Sequence, residues 1–188
     1  WAEPAQIAVI FAEGAIEEGA DRSELFNGDV MGSASISRAL RSARENGRVK
    51  AMVLRVNSGG GSIFASDEIW REVERTVGRK PIIVSFGDVA ASGGYYIACA
   101  ADSIFAMPNT ITGSIGVISG KLELSGLYDK IGLDKDVSAR GRYANLYGSD
   151  GAFNDDERAV IRFQMMRAYD HFVNLVSQGR NLAGDSVY

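Results

Sequence analysis

A chain of 188 residues, 46% hydrophobic and 23% charged, is long enough for one full core and has the balance of a folded globular protein. Its formal net charge of −4, with no dense run of Lys and Arg, argues against a nucleic-acid surface. The single cysteine, Cys99, excludes an intrachain disulfide and any cysteine-based metal cluster, and no apolar run reaches the length of a membrane span.

In chain order, residues 6–12 read as a buried strand, followed by Glu13-Gly14-Ala15-Ile16 and a polar, glycine-rich loop through Asp29. Ile36, Leu40 and Ala43 recur at helical spacing, predicting a helix over 33–46 capped by Ser33 or Ser35 and ended near Gly47. Residues 49–56 are a second strand, and Asn57-Ser58-Gly59-Gly60-Gly61-Ser62 the turn after it. Ile69, Val73 and Val77 line one face of a helix over 63–77. A third strand, 81–86, meets a Gly87-Asp88 turn, and a helical run over 93–101 carries Cys99 as a buried structural thiol. Short strands are expected at 103–107 and 135–138, a loop with some strand at 109–118, and a helix at 122–131 ended by Gly132. A loop over 140–153 leads to Asn154 and the acidic first turn Asp155-Asp156-Glu157 of a last helix running to 178. Its stripe of Val160, Phe163, Met166, Phe172, Val173 and Val176 reads as core packing, with an intersubunit face as the alternative. This alternation predicts an α/β fold with a largely parallel sheet, in one domain spanning 1–188.

Two glycine-rich turns, at Gly59–Gly61 and at Ser92-Gly93-Gly94, follow successive strands, so a parallel sheet would bring both to its carboxyl edge, where open α/β folds bind ligands. Ser92 fits two roles there: a helix N-cap, or a nucleophilic hydroxyl facing backbone N–H groups that receive an oxyanion. Phosphate and dinucleotide motifs do not fit: no Lys-Ser/Thr follows the glycines and the spacing is wrong. No cofactor or metal is implied. A hydroxyl nucleophile needs a base. The single histidine, His171, occupies a polar helical position away from the glycine turns in sequence, which turns attention to a lysine of lowered pKa. Lys50 and Lys80 precede strands at the opposite edge, and Lys121, Lys130 and Lys135 have the setting of solvated lysines.

Three blocks then become specific: Arg55-Val56-Asn57-Ser58-Gly59-Gly60-Gly61, Gly87-Asp88-Val89-Ala90-Ala91-Ser92-Gly93-Gly94-Tyr95-Tyr96-Ile97-Ala98, and Thr112-Gly113-Ser114-Ile115-Gly116-Val117-Ile118. In order and spacing they resemble the signal peptide peptidase A (protease IV) family over roughly residues 5–180. The resemblance implies a Clp protease/crotonase-like fold and a serine endopeptidase with a Ser-Lys dyad that degrades signal peptide remnants and other extended apolar peptides. It implies Ser92 as nucleophile, Ser114 as the residue orienting the lysine, and Gly60, Gly59 and Gly93 as backbone donors of the oxyanion hole. It also implies homo-oligomers at the extracytoplasmic side of the bacterial inner membrane, held there by a segment outside this chain.

The family's lysine position departs. Gly141-Arg142-Tyr143-Ala144-Asn145 stands where single-domain members carry a Gly-Lys-Tyr-Lys-Asp-like stretch, with Ala144 at the lysine. The chain therefore resembles the serine-bearing carboxyl-terminal half of a tandem member, expected to be a fragment or processed product that receives its lysine from an amino-terminal half. An engineered Lys-to-Ala change, an incomplete peptide-binding domain and a crotonase-like acyl-CoA enzyme are the alternatives. The last would call for acidic residues near Gly59–Gly61, and only Asp67 and Glu68 follow closely.

Overall fold

A computed structural model describes residues 4–24 and 28–187. The elements run β1 (Gln6–Glu13), β2 (Ala15–Glu17), β3 (Arg22–Glu24), β4 (Gly28–Gly32), α1 (Ser33–Glu45), β5 (Val49–Ser58), α2 (Ile63–Glu74), β6 (Ile82–Ala91), α3 (Gly93–Tyr96), β7 (Ser103–Phe105), β8 (Ile111–Gly113), α4 (Ser125–Ile131) and α5 (Asp155–Arg180), with a 3₁₀ turn at Gly184–Ser186. They form two compact units: residues 1–116 with 171–188, and residues 117–170.

The first unit is built on a five-stranded sheet of order β1-β5-β6-β7, in which β8 pairs with the far end of β6. Every pairing in it is parallel. Period-2 alternation aims Ile10, Ala12, Met52, Leu54, Val56, Ile82, Val84 and Phe86 at one face, where they are buried with Leu40, Ile69 and Val73 from α1 and α2. The other face carries Ile7, Val9, Phe11 and Phe105 in the open. Arg55 crosses that face to donate to Ser85 Oγ and the Phe86 carbonyl.

The glycine-rich stretch before α1 is a second small sheet, β2-β4-β3, rather than the expected loop. Its three-residue strands are too short to show alternation. Neither Ser33 nor Ser35 caps α1, whose N-cap is Gly32 with no side-chain bond. Ser33 Oγ donates instead to Glu68 Oε2 at 2.5 Å, and Ser35 Oγ accepts from the Asp21 N–H. Gly87-Asp88 is not a turn: β6 runs through it to Ala91, and the register slips between Val56 and Ser58. The Asn57 carboxamide fills the irregularity, accepting from the Val89 N–H at 3.1 Å, while Gly87 leaves room for it. α3 ends after one turn because the N–H groups of Ala98 and Cys99 bond three residues back, to Tyr95 and Tyr96. Cys99 is fully buried, and burial pushes its thiol up to about 12.

In the second unit, residues 135–138 form no strand. Gly132, at φ 68°, ends α4 with the Leu133 N–H returning to Tyr128, and Asn154 and Glu157 close a reciprocal cap on α5. The α5 stripe divides. Phe172, Val173 and Val176 are buried in the first unit, whereas Phe163 and Met166 are 62% and 54% exposed, so the expectation of continuous core packing holds only for the carboxyl part.

Candidate active site

Ser92 stands between the last residue of β6 and the first of α3, with φ 50° and ψ −118°. A non-glycine residue held at such a backbone costs on the order of 1–3 kcal/mol, and the surroundings must enforce it. They do so from both sides. The Ser92 N–H donates to the Gly113 carbonyl at 2.9 Å, and the Ser92 carbonyl accepts from Tyr95 and Tyr96 at the start of α3. Its side chain makes no capping bond, so the N-cap role considered from the sequence is not taken up.

Parallel pairing brings Ser114 alongside. Val89, Ala90 and Ala91 are in register with Ile111, Thr112 and Gly113, so Ser92 and Ser114 are the next residues on adjacent strands. Ser114 has φ 50° as well. Thr112 Oγ1 ties the pair together by donating to the Ala90 carbonyl.

The Gly59–Gly61 turn closes over Ser92 from β5. A Cβ on Gly60 would lie 2.6 Å from the Gly93 nitrogen and 3.0 Å from Ser92 Cβ, and Gly60 has φ 103°. A Cβ on Gly93 would meet Ser66 Oγ at 2.7 Å, and one on Gly94 the Ser58 carbonyl at 2.5 Å. Only hydrogen fits at these positions, so the two glycine-rich turns interlock.

Hydrogen bonding decides which amides can face a ligand. The Gly60 N–H donates to Ser58 Oγ at 3.1 Å, and Ser58 in turn donates to the Gly14 carbonyl at 2.6 Å. The Gly60 carbonyl accepts from the Ile16 N–H at 3.0 Å. In a trans peptide the next N–H points the opposite way, so the Gly61 N–H turns from Ile16 toward Gly93; a Cβ on Gly93 would be 3.2 Å from that nitrogen. The sequence named Gly59 and Gly60 as donors, and nothing in a run of three glycines marks that the Gly60 N–H is already engaged by Ser58. Nor does it mark Ile16, whose backbone bonds the Gly60 carbonyl and the Ser62 N–H.

Among the described residues of the unit that holds it, no side chain hydrogen-bonds to Ser92 Oγ. Lys80 Nζ donates to the carbonyls of Ala43 and Asn46 at the end of α1, and Lys50 Nζ to Gly47. Both lie at the amino ends of ten-residue strands, which puts them about 30 Å from the carboxyl edge. His171 Nε2 is 3.6 Å from Asp67 Oδ1, which also accepts from Tyr96 Oη. Burial, then the Asp67 charge, push the Tyr96 phenol well up, so it stays a neutral donor. In the second unit Lys121 lies over the Phe153 ring and Lys135 pairs with Asp150.

Comparison with known proteins places this geometry. The family model described as peptidase family S49 matches residues 74–188. The chain is 39% identical over 187 residues to Serine protease SPPA, chloroplastic, of Arabidopsis thaliana, covering 97% of this chain and 27% of that protein. It is 41% identical over 189 residues to Protease 4 of Haemophilus influenzae, covering 98% of this chain and 29% of that one. Against these relatives it spans less than a third of their length. Among solved structures, ClpP1 from Listeria monocytogenes superposes with TM-score 0.54 at 15% identity, over 95% of this chain and 75% of that one, which shows a Clp protease-like fold.

Proposed function

The chain belongs to peptidase family S49, and we propose on that premise that Ser92 is the nucleophile of a serine endopeptidase whose general base comes from outside the unit described above. The observation that carries the reading is the strained Ser92 backbone, locked at the sheet's carboxyl edge between the Gly60 turn and Ser114.

The hydroxyl attacks the carbonyl carbon of an extended peptide while its proton passes to a neutral lysine Nζ from an amino-terminal half of the same protein. Ser114 orients that lysine. The oxyanion is received by the N–H groups of Gly93 and Gly61; the second replaces Gly60, whose N–H is engaged by Ser58. Collapse expels the amine with the proton from the lysine, leaving an ester on Ser92, which water hydrolyses with the same base. By family resemblance the substrates are signal peptide remnants and other extended apolar peptides. The setting is then the extracytoplasmic face of a bacterial inner membrane, in a homo-oligomer, with no cofactor.

A second reading, capture of peptides without cleavage, is favoured by the bare Ser92 hydroxyl. One experiment separates the two. A fluorophosphonate probe applied to the full-length protein, followed by peptide mapping, should label Ser92 and nothing else. Peptide turnover should vanish in Ser92→Ala. Unlabelled Ser92 with intact peptide affinity would leave only the binding domain standing.

A further inference from the structure

Charge counting along the chain shows no dense basic patch, yet the fold assembles one. α1 and α2 pack together, and the groove between them, about 400 Å³, is lined by Arg38, Arg41, Arg71 and Arg75. The spacings put each pair on one helix face: Arg38 and Arg41 three apart, Arg71 and Arg75 four apart. No lysine lines it.

The groove floor is the carboxylate of Glu72, 2% exposed. Its Oε1 accepts from Arg41 at 3.1 Å and from Arg75 at 2.9 Å, and Arg44 approaches Oε2 to 2.7 Å. One buried negative charge therefore holds three guanidinium groups, and two positive charges remain uncompensated there. Arg71 is neutralised by Asp67 at 2.6 Å. Glu68 adds one negative charge, occupied by the Ser33 hydroxyl. Among the described residues Arg38 has neither a hydrogen-bond nor an ion-pair partner. The side chains of Arg41, Arg71 and Arg75 are each more than half exposed, so their remaining donors face the groove and solvent.

We propose that this groove is a binding site for a single phosphate group, carried by a lipid headgroup or by a small soluble compound. Guanidinium forks match phosphate oxygens two at a time, and Glu72 fixes those of Arg41 and Arg75 before a ligand arrives. The carboxylates of Glu72 at the floor and Glu68 beside it, with the small volume, suit one phosphate rather than a run of backbone phosphates. The chain as a whole is negative, at −4, so attraction of an anion is local to this groove.

Two measurements test it. The first compares thermal unfolding in inorganic phosphate and in sodium chloride of equal ionic strength. The second is co-sedimentation with phosphatidylcholine vesicles containing or lacking phosphatidylglycerol. Phosphate should raise the midpoint above chloride, or the anionic vesicles alone should carry the protein down. Arg38→Gln/Arg41→Gln should weaken whichever response is seen by about tenfold or more. Arg162→Gln/Arg167→Gln, equal in charge change, should leave it unaltered. If the double variant is unstable, Arg38→Gln alone, at a position without partners, should still weaken the response. A phosphate response without vesicle binding identifies a soluble ligand, and vesicle binding identifies a headgroup. No response in either assay, or one that both groove variants retain, overturns the site.

Discussion

At the carboxyl edge of the sheet a single added carbon on Gly60 would lie 2.6 Å from the Gly93 nitrogen, whereas in the unit 117–170 Phe163 stands 62% exposed and Ile118 98%. The first region is specified by backbone packed against backbone, with no space for a side chain. The second leaves whole apolar side chains outside its own packing. The difference teaches where tolerance lies: the smallest substitutions should do most harm around Ser92, and large ones should pass almost unnoticed in the smaller unit.

The widest gap should come from the proposed nucleophile. In the full-length protein Ser92→Ala should cut peptide-ester turnover by on the order of 10⁴-fold or more while leaving the fold intact. Ser92→Gly removes the same hydroxyl together with the positive-φ penalty. In denaturant melts it should therefore be the more stable of the two by about 1 kcal/mol. Equal stabilities would mean that the strain at Ser92 is not there.

Gly60→Ala comes next. The new methyl meets the backbone of Gly93, which cannot swing aside as a flexible side chain would, and φ 103° is itself unfavourable for alanine. A loss of roughly 2–4 kcal/mol in chemical denaturation is expected, alongside loss of probe labelling at Ser92. A neutral result would show the two turns to be looser than their contacts imply.

Acid should act through the helix pair rather than through the site. Burial alone would raise the Glu72 carboxyl, but hydrogen bonds and charge from Arg44, Arg41 and Arg75 outweigh it and hold the group below the ordinary carboxylate range. The unfolded chain then binds the proton more readily. Glu72 thus contributes stability in full above its unfolded pKa of about 4.3, and that contribution fades as pH falls through the lower folded value. Glu72→Gln should flatten this part of the stability–pH curve. An unchanged slope below pH 4.3 would remove Glu72 as its source.

The smallest effect is expected where the smaller unit is most apolar. Phe163→Ser, at a side chain 62% exposed, should change unfolding free energy of the isolated chain by no more than about 0.5 kcal/mol. A larger loss would erase the contrast between the two regions.

Much of this contrast was readable in the residues, and the unreadable part has physical causes. Leu40, Ile69 and Val73 lie in long amphipathic helices, where periodicity accumulates, and each is fully buried. Ser92 and the two glycine turns were legible because a close-packed backbone demands glycine wherever it occurs. Which glycine amide remains available was not, since it depends on Ser58 and on Ile16, the latter 44 residues upstream of Gly60 in sequence and joined to it only by the fold. The β2-β4-β3 sheet escaped notice because three residues are too few to show a period, and Phe163 and Met166 because spacing says which residues share a face but not whether anything covers it. The arginine groove escaped for the same reason, being divided between two helices.

The bonds from the Ile16 N–H to the Gly60 carbonyl and from the Ser62 N–H to the Ile16 carbonyl have a consequence for the order of events during synthesis. The backbone around Ser92 is stitched from four stretches lying between Ile16 and Ser114, none of which can set its shape alone. Contacts of such sequence separation form late, after loop closure has been overcome. A growing chain that has emerged only as far as Ser92 lacks the Gly113 carbonyl that pins that serine. The backbone arrangement around Ser92 is thus withheld from the nascent polypeptide by topology until Gly113 has emerged.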